Sequence, residues 1–306
     1  MKKIISLILA FSLIAMCVFS MGSCDLFNQN NLSAAYDKIV KELEFDDSNC
    51  ETLTVAMSPD FAPMEFVDLA KTGDAQYVGF DVILAKYIAK ELNMKLVIDP
   101  MSFDACMAAV ATGAADLAIS GFSWTAERAE TFLISDYYVA GENESDQILI
   151  SKASNKDKFT ADKSDFSGIK VGAQGGSLQE LLVNEQLVTK GASIELYKDL
   201  NTAVEALKSG DIDALAVAKG NGEAFAASSE EVDLTDYYFH VEEKYKNNVI
   251  LLNKDDAELL NQVNAALAKA MAANLYDGWY EACQIYAEVK TIDELGYDDE
   301  GNKITE

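Results

Sequence analysis

The sequence predicts an α/β protein of two similar lobes, each with a mostly parallel sheet covered by helices. Strand-like and helix-like segments alternate between about residues 50 and 290, which is typical of parallel sheets with helical connections. A local pattern also recurs, in which a helix ends at a glycine and an aspartate three residues later leads into an apolar strand. It occurs around Gly113 and, 97 positions later, around Gly210. Two such units favour two related lobes, although the same pattern is also common in ordinary connections between a helix and the next strand.

The two units contain the same succession of elements. Apolar residues recur at helical spacing in the helices, and the strands are short apolar runs. The first unit is predicted as strand Leu53–Met57, helix Phe80–Leu92, strand Leu96–Ile98, helix Asp104–Ala111 and strand Leu117–Ser120. The second is predicted as strand Ile169–Ala173, helix Ser177–Leu187, strand Ile194–Tyr197, helix Leu200–Lys208 and strand Ala214–Val217.

The first residues indicate export. Two lysines precede an uncharged, largely apolar run of 16 residues, Ile4 to Phe19, which is shorter than the roughly 20 residues of a membrane span and suits a signal peptide at 1–23. Small residues then lead to Cys24, and this arrangement resembles a bacterial lipoprotein signal. The resemblance implies cleavage before Cys24, lipidation of its thiol, and an extracytoplasmic protein anchored to the membrane (in the periplasm or at the outer cell surface). A secreted protein cleaved nearby, with an incidental Cys24, is the alternative.

Polar, acidic segments flank the α/β region. Residues 24–49 are predicted to be a lipidated tether with one possible helix at Ala34–Leu43, and residues 291–306 a loosely held acidic tail. The chain carries a net charge of −27, which argues against a nucleic-acid partner. The cysteines beyond Cys24 show no metal-ligand spacing, so no metal and no cofactor is expected.

Arg128 is the only arginine among 24 basic residues. Its planar fork of donors matches a carboxylate bidentately, whereas a lysine offers a mobile point charge. A surface ion pair with Glu127 or Glu130 is the ordinary explanation of such a residue. However, Arg128 follows a predicted buried strand that ends at Ser120, and ligands of α/β sheets bind beyond the carboxyl ends of strands. The sequence therefore predicts a carboxylate-binding site.

Several blocks around Arg128 carry a family resemblance. The stretch ISGFSWTAER at 119–128 resembles the binding loop of the polar amino-acid-binding proteins of ABC importers, which are extracytoplasmic solute-binding proteins of the family 3 type. Further blocks fit the same family in the same order: LTVAMSPDFAPMEF at 53–66, GFDVILAKYIA at 79–89, FLISDYY at 132–138, VGAQGGS at 171–177, and the stretches 203–217 and 258–280.

The resemblance implies a periplasmic-binding-protein-like fold. Lobe 1 would comprise residues 50–140 and 246–290, lobe 2 residues 145–240, and a two-segment hinge would let the lobes close over a ligand. The resemblance also implies a monomeric substrate-binding protein and not an enzyme. Such a protein captures an amino acid or a related small carboxylate and delivers it to an ABC permease in the membrane.

Carried over by position, the ligand-binding residues are Arg128, Ser123, Gly121, Phe61, Phe103, Gly176 and Ser177. Arg128 would hold the ligand carboxylate, with the Ser123 hydroxyl and the Gly121 backbone in the same corner. Phe61 and Phe103 would pack on opposite sides of the ligand, although plain core packing is the alternative for both. The last two residues precede a predicted helix and would offer backbone N–H groups and a hydroxyl to the anion.

One departure from the family bears on the ligand. Most amino-acid binders of the family carry an aspartate for the ligand ammonium where this chain has Ala218, followed by Lys219. Either Glu223 or Asp60 replaces that carboxylate, or the ligand lacks a free amino group. Ser58 stands where several relatives carry an aspartate that contacts basic side chains, which argues against a cationic ligand such as arginine.

Two other functions stay open at this stage. A few relatives of the fold are dehydratases, but this chain has a single histidine, His240, and no Ser/His/Asp set or phosphate loop. A ligand-sensing receptor lipoprotein that reuses the fold without transport is the second alternative, and a neighbouring permease and ATPase gene pair would favour import.

Overall fold

The structure, a computed structural model, describes residues 32–138, 145–298 and 300–304. The predicted signal peptide, Cys24 and the first part of the predicted tether lie outside the described residues. Within the described ranges, no helix is both long and apolar enough to cross a membrane.

The described residues form ten α-helices and thirteen strands that alternate along most of the chain. The helices are α1 (Ala34–Glu42), α2 (Phe80–Leu92), α3 (Phe103–Thr112), α4 (Ala126–Thr131), α5 (Leu178–Gln186), α6 (Leu200–Ser209), α7 (Lys219–Ser228), α8 (Ala257–Ala272), α9 (Leu275–Tyr286) and α10 (Ile292–Leu295). The strands are β1 (Thr52–Met57), β2 (Asp60–Phe61), β3 (Glu65–Val67), β4 (Tyr77–Val78), β5 (Lys95–Pro100), β6 (Leu117–Ala118), β7 (Leu133–Ile134), β8 (Gln147–Lys152), β9 (Lys170–Gln174), β10 (Ser193–Tyr197), β11 (Ala214–Ala218), β12 (Val232–Tyr238) and β13 (Leu251–Leu252).

Lobe 1 is built on a five-stranded sheet in the order β5-β1-β6-β13-β7. Strand β1 is parallel to β5 and β6, whereas β13 is antiparallel to β6 and β7. Helices α2, α8 and α9 cover one face with a large apolar core, and α3 covers the other. A small antiparallel sheet, β2-β3-β4, follows β1 and reaches toward the second lobe.

Lobe 2 repeats this plan with the order β10-β9-β11-β8-β12. Strand β9 is parallel to β10 and β11, and β8 is antiparallel to β11 and β12. Helices α5 and α6 pack against opposite faces of the sheet and bury a separate core on each. The prediction of two similar α/β lobes is therefore confirmed.

The recurring glycine–aspartate pattern occupies equivalent places in the two lobes. Both glycines end a helix in the left-handed conformation, with φ of 73° and 91°, which costs no Cβ clash. The carboxylate of Asp116 accepts a hydrogen bond from the N–H of Thr54 (2.7 Å), and that of Asp213 accepts one from the N–H of Lys170 (2.9 Å). Asp116 thus ties the start of β6 to β1, and Asp213 ties the start of β11 to β9. The equivalent bond in each lobe explains why the pattern recurs.

Parts of the segments predicted as a lipidated tether and a loosely held tail pack on lobe 1. Helix α1 buries Ala35 and Tyr36, which are 5% and 2% exposed, and they lie on the same face as Ile39. Tyr297, near the carboxyl terminus, packs against the same face and bonds the carboxylate of Glu281 in α9. The charged residues between them obscured this apolar face in the sequence.

Candidate functional site

A cavity lies between the lobes, beyond the carboxyl ends of β1, β6, β9 and β11, where α/β sheets bind ligands. Its volume is about 30 Å³, which is room for about one water molecule. It is lined by Asp60, Phe61, Glu65, Phe103, Ser120, Gly121, Ser123, Arg128, Gln147, Gln174, Ser177, Leu178, Gln179, Leu200, Val217, Ala218 and Asn248. Six of the seven predicted site residues therefore meet here, and the seventh, Gly176, contacts Arg128.

Arg128 is held inside the cleft and is only 5% exposed. The backbone N–H of Arg128 donates to the hydroxyl oxygen of Thr125, which caps α4. Arg128 therefore sits in the first turn of a short helix that points its side chain inward. Its Nη1 donates to the carbonyl of Ser123 at 2.5 Å, and Nη2 donates to the carbonyl of Gly176, on lobe 2, at 2.7 Å. These two bonds use two of the five guanidinium N–H groups.

The charge of Arg128 has no acidic partner at ion-pair distance among the described residues. Burial lowers the pKa of Arg128 to about 10, and Glu127 offsets this in part. The guanidinium carbon instead lies 5.6 Å from the ring centre of Phe103 and 5.1 Å from that of Phe122, where cation–π attraction supports a positive charge. The site therefore presents a buried, charged fork with donors left for an anion.

The two predicted aromatic walls differ in their surroundings. Phe103 is 7% exposed and stacks on Phe122, with ring centres 4.5 Å apart, so it forms the floor beneath Arg128. Phe61 packs against the apolar cores of both lobes, which places it across the cleft opening. Both residues line the cavity and also serve as packing residues.

Gly121 is required by the close approach of Phe61. Its φ is +58°, and a Cβ at this position would lie 2.8 Å from Cε1 of Phe61. The N–H of Gly121 donates to Oδ2 of Asp81 at 2.7 Å, so it is directed into lobe 1. Gly121 therefore shapes the corner beside Arg128 and does not offer its N–H to a ligand.

The expectation that Gly176 and Ser177 present free donors to an anion needs correction. The N–H of Gly176 donates to the carboxylate of Glu180 at 2.7 Å, and the Ser177 hydroxyl donates to the carbonyl of Gln174 and accepts from the N–H of Glu180. These contacts cap α5 from within the chain. Ser177 still lines the cavity, but Gly176 contributes its carbonyl to Arg128 instead of an N–H to a ligand.

Asp60 is an acidic residue of the cleft whose partners on lobe 2 are distant in the sequence. Its Oδ2 accepts from the N–H of Leu200 at 2.7 Å and from the amide of Gln174 at 3.1 Å, both on lobe 2, and Oδ1 accepts from the hydroxyl of Ser58 at 2.9 Å. Burial raises the pKa of Asp60 to about 6, although these hydrogen bonds oppose the rise. Asp60 is thus a second, half-buried charge of the cleft, and it bridges the lobes.

The missing strand-end carboxylate leaves a neutral polar corner. Ala218 pairs with Gln147 across β11 and β8, and the amide of Gln179 donates to the carbonyl oxygen of the Gln147 side chain at 2.6 Å. Lys219 and Glu223 do not line the cavity, so Asp60 is the candidate replacement that the structure brings into the site. The glutamines carried no motif by which the sequence could have identified them.

The comparisons with known proteins agree with this geometry. Residues 53–282 match the family described as bacterial extracellular solute-binding proteins, family 3. A probable histidine-binding protein of Campylobacter jejuni is 33% identical over 181 residues, 59% of this chain and 65% of that protein. The arginine-binding extracellular protein ArtP of Bacillus subtilis is 28% identical over 72% of this chain and 81% of its own length.

A solved structure shares the fold over most of both chains. The amino acid ABC transporter substrate-binding protein AbpA of Streptococcus pneumoniae, bound to L-arginine, superposes with a TM-score of 0.68 and 32% identity, covering 78% of this chain and 97% of that one. Because the family match spans both lobes and the cleft between them, the chain belongs to the bacterial extracellular solute-binding proteins of family 3.

Proposed function

We propose that the cleft binds an amino acid, with its carboxylate on Arg128 and a cationic group on Asp60, and that the chain delivers this ligand to an ABC importer. The single observation that carries the proposal is a pair of opposite charges, the buried Arg128 and the half-buried Asp60, which line one cavity and form no ion pair with each other. Burial disfavours the charged form of each, and a zwitterion would compensate both.

The relatives support a basic or polar amino acid. The proteins described above are named for histidine and arginine, or are bound to arginine. The argument from sequence against a cationic ligand rested on Ser58, whereas Ala218 put the free amino group of the ligand in doubt. Asp60 weakens that argument, because it supplies a carboxylate in the same cleft and is held there by the Ser58 hydroxyl. L-Arginine and L-histidine are therefore the first probes.

Ligand entry requires the lobes to separate. Pockets for small molecules typically measure about 300–1,000 Å³, far more than the present 30 Å³. Direct bonds across the cleft join Asp60 to Leu200 and Gln174, Arg128 to Gly176, and Asn221 to Ala62. Because such bonds exist only when the lobes touch, the ligand enters an open form, and closure then surrounds it.

A thermal-shift screen tests this proposal. The twenty amino acids are compared with simple carboxylates that lack an amine, such as succinate and propionate. We expect L-arginine or L-histidine to raise the melting temperature, and carboxylates without a cation to have little effect. Binding of the amine-free carboxylates alone would refute the role of Asp60, and no shift with any compound would refute the proposed ligand class.

We also propose that the mature protein is a monomeric, membrane-anchored lipoprotein, lipidated at Cys24. The support comes from the sequence alone, in the apolar run and the small residues before Cys24. Full-length protein should partition into a detergent phase, and Cys24→Ala protein should remain in the aqueous phase. Equal partitioning of the two proteins would contradict the anchor.

Capture, and not catalysis, is the role we propose for the cleft. Arg128 and Asp60 are engaged in hydrogen bonds that join the two lobes. The single histidine, His240, is exposed and does not line the cavity. Turnover of a prephenate-like substrate would contradict this. Loss of uptake of the bound amino acid on deletion of the gene would separate import from sensing.

A further inference from the structure

Two carboxyls are buried together at the binding corner of lobe 1, and the proposed function gives neither of them a role. Glu65 in β3 and Asp81 in α2 are both 0% exposed. Oδ2 of Asp81 accepts from a backbone N–H and a hydroxyl, whereas its buried Oδ1 has no such donor within hydrogen-bond distance, and the Glu65 carboxyl is the remaining side chain that interacts with Asp81 as a hydrogen-bond partner. Since two ionised carboxylates have no proton to donate, this bond requires one of them to be protonated.

The outer oxygens of the two carboxyls hold the binding corner. Oε1 of Glu65 accepts from the hydroxyl of Ser120, whose oxygen in turn accepts from the N–H of Ser58 at 3.0 Å. Oδ2 of Asp81 accepts from the N–H of Gly121 at 2.7 Å. Ser120 and Gly121 both line the ligand cavity, so the pair fixes two consecutive residues of its wall.

The same pair reaches the hinge. The hydroxyl of Tyr138 donates to Oδ2 of Asp81 at 3.1 Å. Tyr138 is the last residue of lobe 1 that the structure describes before Ser145, and its backbone pairs with that of Asn248, which lies between β12 of lobe 2 and β13 of lobe 1 and lines the cavity. Asp81 therefore contacts the binding corner and the start of the hinge at once.

We propose that Glu65 and Asp81 share a single proton, and that this proton-bridged pair positions the Ser120–Gly121 corner and the Tyr138 end of the hinge for ligand binding. The proton lies between the two carboxyls and leaves Oδ2 of Asp81 free of it, to accept from both Gly121 and Tyr138. The part of this inference that concerns ligand affinity rests on the proposed function, whereas the shared proton does not.

The electrostatic surroundings favour retention of the proton. Burial raises the pKa of Asp81 to about 7, against the hydrogen bonds from Gly121 and Tyr138. Tyr138 and Cys283 face Asp81, and Cys106 faces Glu65. Arg128 and Asp60 line the same cavity as Glu65. Burial raises the pKa of Tyr138 and Cys283 well above their ordinary values, so they remain neutral around the pair.

Amide substitutions test the shared proton. In Glu65→Gln, the new amide can donate to Asp81, and in Asp81→Asn it can donate to Glu65, so each single variant keeps the bridge without a proton. In the double variant, the amide oxygen at position 65 accepts from Ser120, and the amide oxygen at position 81 accepts from Gly121 and Tyr138. The two NH₂ groups then face each other without an acceptor between them. We expect the double variant to melt well below the value that the two single shifts predict together. An additive double variant would overturn the proposal.

An infrared spectrum provides a direct signature. The wild type should show the C=O stretch of a buried protonated carboxyl at pH 7, and each single variant should lack it. The melting temperature of the wild type should fall as the pH rises from 5 to 7 and level off above that, because a carboxyl whose pKa is raised to about 7 in the folded state gives stability that is lost as the pH rises from the ordinary carboxyl pKa through the raised one. The single variants should show a smaller fall, and Asp99→Asn, at an exposed site on lobe 1, should match the wild type. A band that survives in either variant would refute the shared proton.

The positioning role has its own readout. Hydrogen exchange of the amide of Gly121, compared at one pH, should be slow in the single variants and at least tenfold faster in the double variant. Titration of L-arginine should show the same ranking of affinities. Unchanged exchange in the double variant would overturn the positioning role. If L-arginine fails to bind the wild type, the exchange and infrared results still decide the inference.

Discussion

Substitution of Arg128 separates a ligand clamp from a structural cation. Its guanidinium is buried without an acidic partner among the described residues and bonds two carbonyls, those of Ser123 and Gly176. Two charge-assisted bonds to a ligand carboxylate contribute roughly 1.5–3 kcal/mol each. After allowance for the desolvation of the guanidinium, we expect a loss of about 3 kcal/mol, or on the order of 100-fold in affinity.

Arg128→Lys should lose nearly as much affinity as Arg128→Met, since lysine restores the charge and not the fork. The ligand-free stability of Arg128→Met should change by less than about 1 kcal/mol, because removal of an uncompensated buried charge offsets the two lost hydrogen bonds. Calorimetric titration of L-arginine and denaturant unfolding measure the two effects, with Lys219→Met as the control for a cation near the cleft that does not line it. Wild-type affinity in Arg128→Met, or a loss of several kcal/mol of ligand-free stability, would refute this reasoning.

Four further predictions concern Asp60, Gly121 and Tyr36. The affinity for L-arginine should fall about tenfold per pH unit below pH 6, because burial raises the pKa of Asp60 to about 6 and its protonation removes the partner of the ligand cation. Asp60→Asn should bind weakly at every pH. A wild-type pH profile in that variant would contradict the role of Asp60 as the partner of the cation. Ligand-free closure should show the opposite dependence, since the raised closed-state pKa favours closure at low pH and disfavours it as pH rises through 6, which scattering can measure. Gly121→Ala should weaken binding at least tenfold and destabilise the fold by about 1–3 kcal/mol through its positive φ and the contact with Phe61; normal titration and unfolding curves would show that the contact is not needed. Tyr36→Ala should cost about 3 kcal/mol because the ring is 2% exposed, whereas Leu69→Ala, at a residue that is 92% exposed, should have no measurable effect.

The sequence predicted the lobes well because local signals dominate there. The strands and helices of both units begin and end within a few residues of their predicted limits, and the repeated aspartates mark equivalent bonds in the two lobes. The cleft position of Arg128 also followed from a local pattern, its place after a predicted buried strand that ends at Ser120. Apolar periodicity and motif order were sufficient for these elements.

The rest depended on contacts that a sequence does not display. The bond between Asp60 and the N–H of Leu200 joins residues 140 positions apart, so the sequence offered Asp60 only as one of two candidates. The prediction for Gly176 erred differently, since Glu180 follows Ser177 at the spacing of a helix cap and engages the same N–H. A helix at the position of α1 was predicted, but its packing on lobe 1 was not, because the sequence does not show what a short helix contacts.

A crystal structure of the protein with the amino acid that gives the largest thermal shift tests the central claim most directly. The account predicts the ligand between the lobes, with its carboxylate bidentate on Arg128 and a cationic group within hydrogen-bond distance of Asp60. In that structure the Arg128–Gly176 bond and the Asp60–Gln174 bond should be rearranged to make room. An amino acid bound outside this cleft, or one whose carboxylate does not contact Arg128, would contradict the account.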